Sequence, residues 1–479
     1  MIPGNKVIRS FKPLFFFLCL CLLSLIPSHL LAGLPVLKNI IILIGDGMGY
    51  NHIQCLNYYQ GIKAQPFEQF PVKLAMSTYP VKAGHFSEGN PSSNHFTTGY
   101  NTVAAWSDTS YLKKNFTESA AAATAIATGF KTYNNAIGMS INQDTLSNIT
   151  EWAKGMGKSA GIVTTVPVSH ATPAGFVAHN KLRTDYSRIA YQMFFNSRCD
   201  VIMGCGNPMY DGDGQAVKGS WKNAKYVGDS ALWQQMMKGS GKQIQFTIKG
   251  KNLQLNDCNG DGKPDPWTVI TKKEDFRKLG YGKTPERVLG CAEIYSTLQQ
   301  ERSRANGETN NSSPNMSPMI STVPTLAEMV SGALNVLDNN PRGFFLMVEG
   351  GAIDWAAHGN QKGRLIEELA GFSDAVNTVI SWVETHSSWD ETLVIVTGDH
   401  ETGLLWGDGP FVPVTDHGKG NLPGMQFYST DHTNSLIPFY AKGAGCEHYR
   451  NFADEYDSLR GPYIQNSEIA QLIRLLLEK

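Results

Sequence analysis

Five short apolar runs, each ending in a glycine, an acid or a small residue, constrain this chain more than any other feature. They cover residues 39–44, 160–165, 201–203, 344–348 and 393–396. Runs of this length without polar alternation suit strands covered on both faces. Helical patterns lie between them. Ser119–Thr128 is Ala-rich and stops at Gly129; residues 323–336 and 365–386 repeat apolar positions every three or four residues; Ser467 stands where it can cap a last helix at 468–478. Strands alternating with helices predict an α/β fold, a large mostly parallel central sheet with helices on both faces.

In such a sheet ligands bind beyond the carboxyl ends of the strands. Three of the runs lead there into metal-ligand residue types. The first enters Gly45-Asp46-Gly47-Met48-Gly49, the fourth enters Glu349, Asp354 and His358, and the fifth enters Asp399-His400. An Asp between glycines is more often a turn than a ligand. For Asp399-His400 a satisfied polar pair at a strand end is an equal alternative. Asp354 and His358 are more telling, because residues four apart on a helix point at one centre. Their plain alternative is a helix-capping Asp with a surface His. His432, in Thr430-Asp431-His432-Thr433, reads as a loop histidine on its own, and so do His52, His85, His95, His386, His417 and His448.

Ser119 follows Glu118 and opens the Ala-rich helix. A serine there suits a helix cap; the sharper reading is a nucleophile at the positive end of the helix dipole. No GxSxG elbow surrounds it, which disfavours a conventional triad hydrolase. A metal would have to activate it. Thr172, in His170-Ala171-Thr172-Pro173, and Arg183 lie further on, and a guanidinium can grip two phosphate oxygens.

Taken together these blocks occur in an order and at spacings that resemble the alkaline phosphatase family from about Asn39 to Gly443. The run Thr128-Gly129-Phe130-Lys131-Thr132-Tyr133-Asn134 is also similar to the family's segment after the nucleophile helix. The resemblance implies a phosphate monoesterase working through a phosphoserine on Ser119, with two Zn²⁺ and one Mg²⁺. Asp354, His358 and His432 would hold the first zinc. Asp46, Asp399 and His400 would surround the second with the Ser119 oxygen. Asp46 would bridge to a magnesium site shared with Thr172 and Glu349, and Arg183 would clamp phosphate. The same resemblance implies phosphate monoester substrates of broad range and a homodimer.

Three positions depart from the family pattern. His170 stands where some members carry Asp, which weakens the charge of the magnesium site. Trp355 replaces the Lys or His of other members. Glu118 stands where Asp usually precedes the nucleophile, and its extra length bears on how Arg183 is oriented. Rival functions are a sulfatase or phosphodiesterase of the wider superfamily, or a non-catalytic phosphate- or metal-binding protein. Ser119 lacks the Cys/Ser-x-Pro-x-Arg run of sulfatases.

The first 32 residues read as a secretory signal. Lys6, Arg9 and Lys12 precede an uncharged apolar run at 14–26, Pro27 breaks it, and Ala32 offers a cleavage site. An uncleaved anchor is the alternative, although the run is short for a span. Cleavage would remove three positive charges and shift the formal net charge from −1 to −4. The catalytic domain would then be residues 33–479, exported to a periplasm or beyond, with no stable membrane span. No basic stripe points to nucleic acid. Cys55, Cys199, Cys205, Cys258, Cys291 and Cys446 form no CxxC pair. Cys199 and Cys205 flank a short strand and stand too far apart to pair with each other.

From about 211 to 321 the composition turns to Gly, Asn, Lys and Gln, which reads as insertions on the sheet, with 306–318 as a mobile loop. Within it Asp257, Asn259, Asp261 and Asp265 occupy positions 1, 3, 5 and 9 of an EF-hand-like calcium loop with Gly262 at position 6. Thr268 replaces the closing Glu, and a solvated turn is the favoured alternative.

Overall fold

The apolar run predicted first is the central strand of an eleven-stranded sheet. The computed structural model describes residues 37–82, 96–97, 99–218, 221–243, 245–248 and 251–478; the predicted signal, His85 and His95 lie outside them. In chain order the strands are β1 (Asn39–Gly45), β2 (Val72–Ser77), β3 (Ser159–Pro167), β4 (Val201–Cys205), β5 (Thr268–Ile270), β6 (Val288–Cys291), β7 (Phe344–Gly350), β8 (Thr392–Gly398), β9 (Ile437–Gly443), β10 (Glu455–Asp457) and β11 (Gly461–Gln465). They lie side by side as β10-β11-β2-β9-β8-β1-β7-β3-β4-β6-β5. The pairings are parallel except β8 with β9, β9 with β2, and β10 with β11.

Alternation along β1 explains why its run is apolar throughout. Ile40, Ile42 and Ile44 face one core, shared with Ala120 and Ile126, while Ile41 and Leu43 face the other, shared with Met329 and Phe372. The first core is closed by α1 (Ser119–Thr128) and the last helix, Glu468–Leu477; the second by the helices Leu326–Leu337 and Lys362–His386. Burying both faces of such a strand stabilises by about 25 cal/mol per Å² of apolar surface removed from water. No helix of the described residues is long and apolar enough to cross a membrane.

Several local expectations shift. The helix predicted at 323–336 starts at Leu326, because Pro324 precedes a capping box in which Thr325 and Glu328 bond each other's backbone. Ser467 precedes the last helix but its side chain makes no cap bond; Glu468 turns back to accept the Gln465 N–H instead. The 211–321 region does not only sit on the sheet, since it feeds β5 and β6 into one edge. The 306–318 segment, expected to be a mobile loop, is tied down. Arg364 pairs with Glu308 at 2.8 Å, Arg302 donates to the Ser317 and Pro318 carbonyls, and Asn310 donates to the Gly359 carbonyl. All six described cysteines are buried and free.

Candidate active site

Strand register assembles the site. Gly45 lies opposite both Gly350 of β7 and Gly398 of β8, so the chain leaves three adjacent strands at one level. Asp46, Glu349 and Asp399 therefore meet at one carboxyl edge although Asp46 precedes the other two by more than 300 residues. Gly47 turns there with φ 74°, and an added Cβ would lie 3.0 Å from the Asp354 backbone. Only glycine fits that approach.

Two groups of ligand-type atoms converge. Asp354, His400 and His432 present one, Asp46, Asp399 and His400 the other, and all five residues are buried. A third group links His358 and His432 with Asp431, which the sequence reading passed over as the neighbour of a loop histidine. Asp354 and His358 leave the short helix Ala352–His358 on one face, as their spacing predicted. Among the described residues the predicted calcium-loop carboxylates form no such group. Asp257 accepts the Gly260 and Gly262 amides, and Asp265 those of Cys258 and Asn259.

Whether cations fit can be judged from the polar atoms. His358 Nδ1 lies 2.6 Å from the Thr430 carbonyl and His432 Nδ1 3.0 Å from that of Thr117. A carbonyl only accepts, so each Nδ1 carries the hydrogen and each Nε2 offers a lone pair, a tautomer typical of metal-ligating histidines. Asp46 Oδ1, Asp399 Oδ2, Glu349 Oε1 and Thr172 Oγ1 are buried with no hydrogen-bond partner. Buried oxygens are rarely left so unless something else satisfies them. These donors suit hard or borderline divalent cations.

The charges tell the same story. Burial, then Asp399 and Asp354, raise the Asp46 carboxyl well above its usual range. Burial pushes Glu349 up to about 7 and Asp399 to about 6. Burial also works on Asp354, but the facing His358 and His432 rings outweigh it and hold that carboxyl well below the usual range. Burial, then His432, push His400 well down, leaving a neutral imidazole.

Ser119 begins α1 with its Oγ 3.3 Å from His400 Nε2. It is not the cap. Glu118 is, accepting the Ala120 and Ala121 N–H groups at 3.0 and 2.8 Å and the Asn135 N–H at 2.7 Å. The same carboxylate pairs with Arg183 Nη1. The longer side chain at 118 thus joins the helix start to the arginine. Against burial, this pairing raises the Arg183 pKa and keeps it charged.

His170, two residues before Thr172, lines the same cleft as Ser119 and Arg183. Its ring stacks on Tyr186 at 6.1 Å, meets the Trp355 edge at 5.5 Å, and leaves Nδ1 buried without a partner. Burial, then Arg183, lower its pKa to about 3, so it adds no charge. Thr402, not anticipated, donates to Asp354 at 2.6 Å; Thr164 donates to Glu349. Ser119, Arg183, Trp355, Gln300 and Glu301 face an open cleft of about 390 Å³ with His170, Asp354 and His432. Gln300 and Glu301 belong to the 211–321 region and carried no sequence signal.

The alkaline phosphatase family model matches residues 37–467. Alkaline phosphatase 4 of Bacillus subtilis is 30% identical over 376 residues, 77% of this chain but 62% of that protein. The chain thus spans under two thirds of that relative. The alkaline phosphatase of Escherichia coli is 29% identical over 385 residues, 76% of this chain and 70% of its own. Among solved structures, the cold-active alkaline phosphatase of a psychrophilic Shewanella superposes with a TM-score of 0.60 at 24% identity, over 92% of this chain and all of its own. A variant of the alkaline phosphatase of the Antarctic bacterium TAB5, with His replaced by Asp and Mg bound in its M3 site, gives 0.59 at 23% identity, over 93% and 99%. By the family match over most of its length, and by a fold of the expected form, this chain belongs to the alkaline phosphatase family.

Proposed function

We propose that this protein is an exported phosphomonoesterase that transfers the phosphoryl group to Ser119 and then to water. The observation that carries the reading is Ser119 Oγ at a helix start, 3.3 Å from His400, with two convergent Asp/His groups beside it. In this reading Asp354, His358 and His432 hold one zinc, and Asp46, Asp399 and His400 a second. Asp46, Thr172 and Glu349 hold a magnesium with His170 beside them. Bound there, the cations supply positive charge that lowers the Ser119 pKa and stabilises the departing oxygen.

The protein's own groups do the rest. The α1 amino end favours the alkoxide form of Ser119. Glu118 fixes Arg183, whose fork grips two non-bridging oxygens, because phosphoryl transfer asks mainly for positioning and charge compensation. Ser119 Oγ forms the new bond to phosphorus as the ester bond breaks on the side of Asp354, His358 and His432. The leaving alcohol takes a proton from solvent. Water then cleaves the phosphoserine, restoring the hydroxyl and releasing phosphate. The cleft is open, so leaving groups of many sizes fit.

Side-by-side hydrolysis of a phosphate monoester, a diester and a sulfate ester tests the reading. The monoester should be turned over fastest by orders of magnitude; a preference for diester or sulfate overturns it.

A further inference from the structure

The cleft wall carries a carboxylate that phosphate binding does not ask for. Glu301 is exposed on the same cleft as Ser119 and Arg183. It is held in place: Ser296 Oγ donates to its Oε2 at 2.6 Å, and its N–H donates to Thr297 Oγ1 at 2.8 Å. On one side Gln300 bonds Gln361 at 2.8 Å, and on the other Arg302 pairs with Glu367 at 2.8 Å. Among the described residues no Lys or Arg forms an ion pair with Glu301. Arg183 is engaged by Glu118, and Lys225 lies over the Tyr186 and Tyr226 rings at 5.1 and 4.8 Å. A second exposed carboxylate, Asp431, lines the cleft beside His358 and His432, on the leaving-group side of the proposed reaction.

Both carboxylates repel a phosphate dianion. They lower affinity for every substrate except one whose remaining part is positive, where the same charges attract. The partly exposed Trp355 ring in the same cleft adds a surface that attracts ammonium groups. We propose that Glu301 is a specificity-determining residue which, with Asp431 and Trp355, makes the cleft select phosphate monoesters of amino alcohols over those of neutral or acidic alcohols. This rests on the phosphomonoesterase reading and narrows it. The breadth in leaving-group size stays, while leaving-group charge is discriminated.

The test compares kcat/KM for choline phosphate, its uncharged carbon isostere neohexyl phosphate, and the acidic phosphoglycolate. Choline phosphate carries a charge that does not titrate, so the first two differ in charge alone. Wild type should prefer choline phosphate to the isostere by roughly fivefold or more and disfavour phosphoglycolate. Glu301→Gln should raise isostere turnover by no more than about fivefold, because one repelling charge is lost, and lose most of the preference. Glu301→Lys should reverse it. Equal rates for choline phosphate and its isostere in wild type, or a preference that survives in Glu301→Gln, overturn the proposal and leave the phosphomonoesterase reading standing. Hydrolysis of none of the three overturns that reading and this proposal with it.

Discussion

His358 and His432 face each other Nε2 to Nε2 at 3.0 Å while a backbone carbonyl holds each Nδ1. Two lone pairs at that distance repel unless a cation lies between them, and Asp354 Oδ2 and Oδ1 stand 3.3 and 3.5 Å from the two rings. Prolonged chelation should therefore abolish turnover and lower the melting temperature by several degrees, because a cation that binds only the folded state stabilises it by mass action. Zinc should restore both. Full activity after exhaustive chelation, with metal content checked, contradicts the assignment.

Ser119→Ala should leave stability within about 0.5 kcal/mol of wild type, since Glu118 rather than Ser119 caps α1 and, among the described residues, the side chain bonds only His400. Turnover should fall by at least about 10³-fold. Acid quenching with a labelled monoester, followed by mass spectrometry, should find phosphate on Ser119 in wild type. A phosphate trapped on another residue sinks the nucleophile assignment.

Glu118→Ala removes the cap and the partner of Arg183 in one step. A cost of about 1–2 kcal/mol in stability is expected from the cap. Inhibition by inorganic phosphate should weaken as well, because the guanidinium loses its fixed direction. Arg183→Ala should reproduce the weaker inhibition without the stability loss. Equal melting temperatures for Glu118→Ala and wild type would show that the cap bonds are not realised in solution.

His170→Asp should let Mg²⁺ activate at roughly tenfold lower concentration, since a carboxylate would replace a neutral ring two residues before Thr172. Titration of activity and of bound magnesium, with zinc held constant, checks it. An unchanged Mg²⁺ titration would place His170 outside the cation's reach.

The His179–Glu151 pair gives a pH dependence away from the cleft. Both His179 nitrogens face acceptors, the Gly138 carbonyl and the Glu151 carboxylate, each at 2.9 Å. Burial opposes the charge, but the Glu151 bond outweighs it and raises the His179 pKa; Glu151 itself lies low, as its bond to His179 outweighs burial. The histidine part of the stability is fully present below the unfolded value of about 6.5 and is lost as pH rises through the higher folded value. The glutamate part is present above about 4.5 and is lost as pH falls through the depressed value. Glu151 is half exposed, so the pair contributes under about 1 kcal/mol. The melting-temperature difference between wild type and His179→Asn should peak between those limits and shrink above them. A difference that does not change with pH rules the pair out.

Much of this protein was legible in sequence because local chemistry decided it. Runs such as 39–44, short and bounded by glycine, suit strands buried on both faces. Asp354 and His358 share a helix face by spacing alone, and Asp46, Glu349 and Asp399 each follow such a run and so fall at a carboxyl edge. Long-range packing decided the rest. The alignment of Gly45 with Gly350 and Gly398 sets those carboxylates at one level, and no segment of sequence contains it. Whether Ser119 or Glu118 caps α1 depended on where Asn135 and Arg183 came to lie. The polar 306–318 segment looked loose because its anchors, Arg364 and Arg302, are distant or act through backbone carbonyls, which composition does not record. Glu301 was one acid in a polar stretch until folding set it on one cleft with Ser119 and Arg183; hydrophobic period fixes which face a residue takes, but only the closed chain fixes which residues share its cleft.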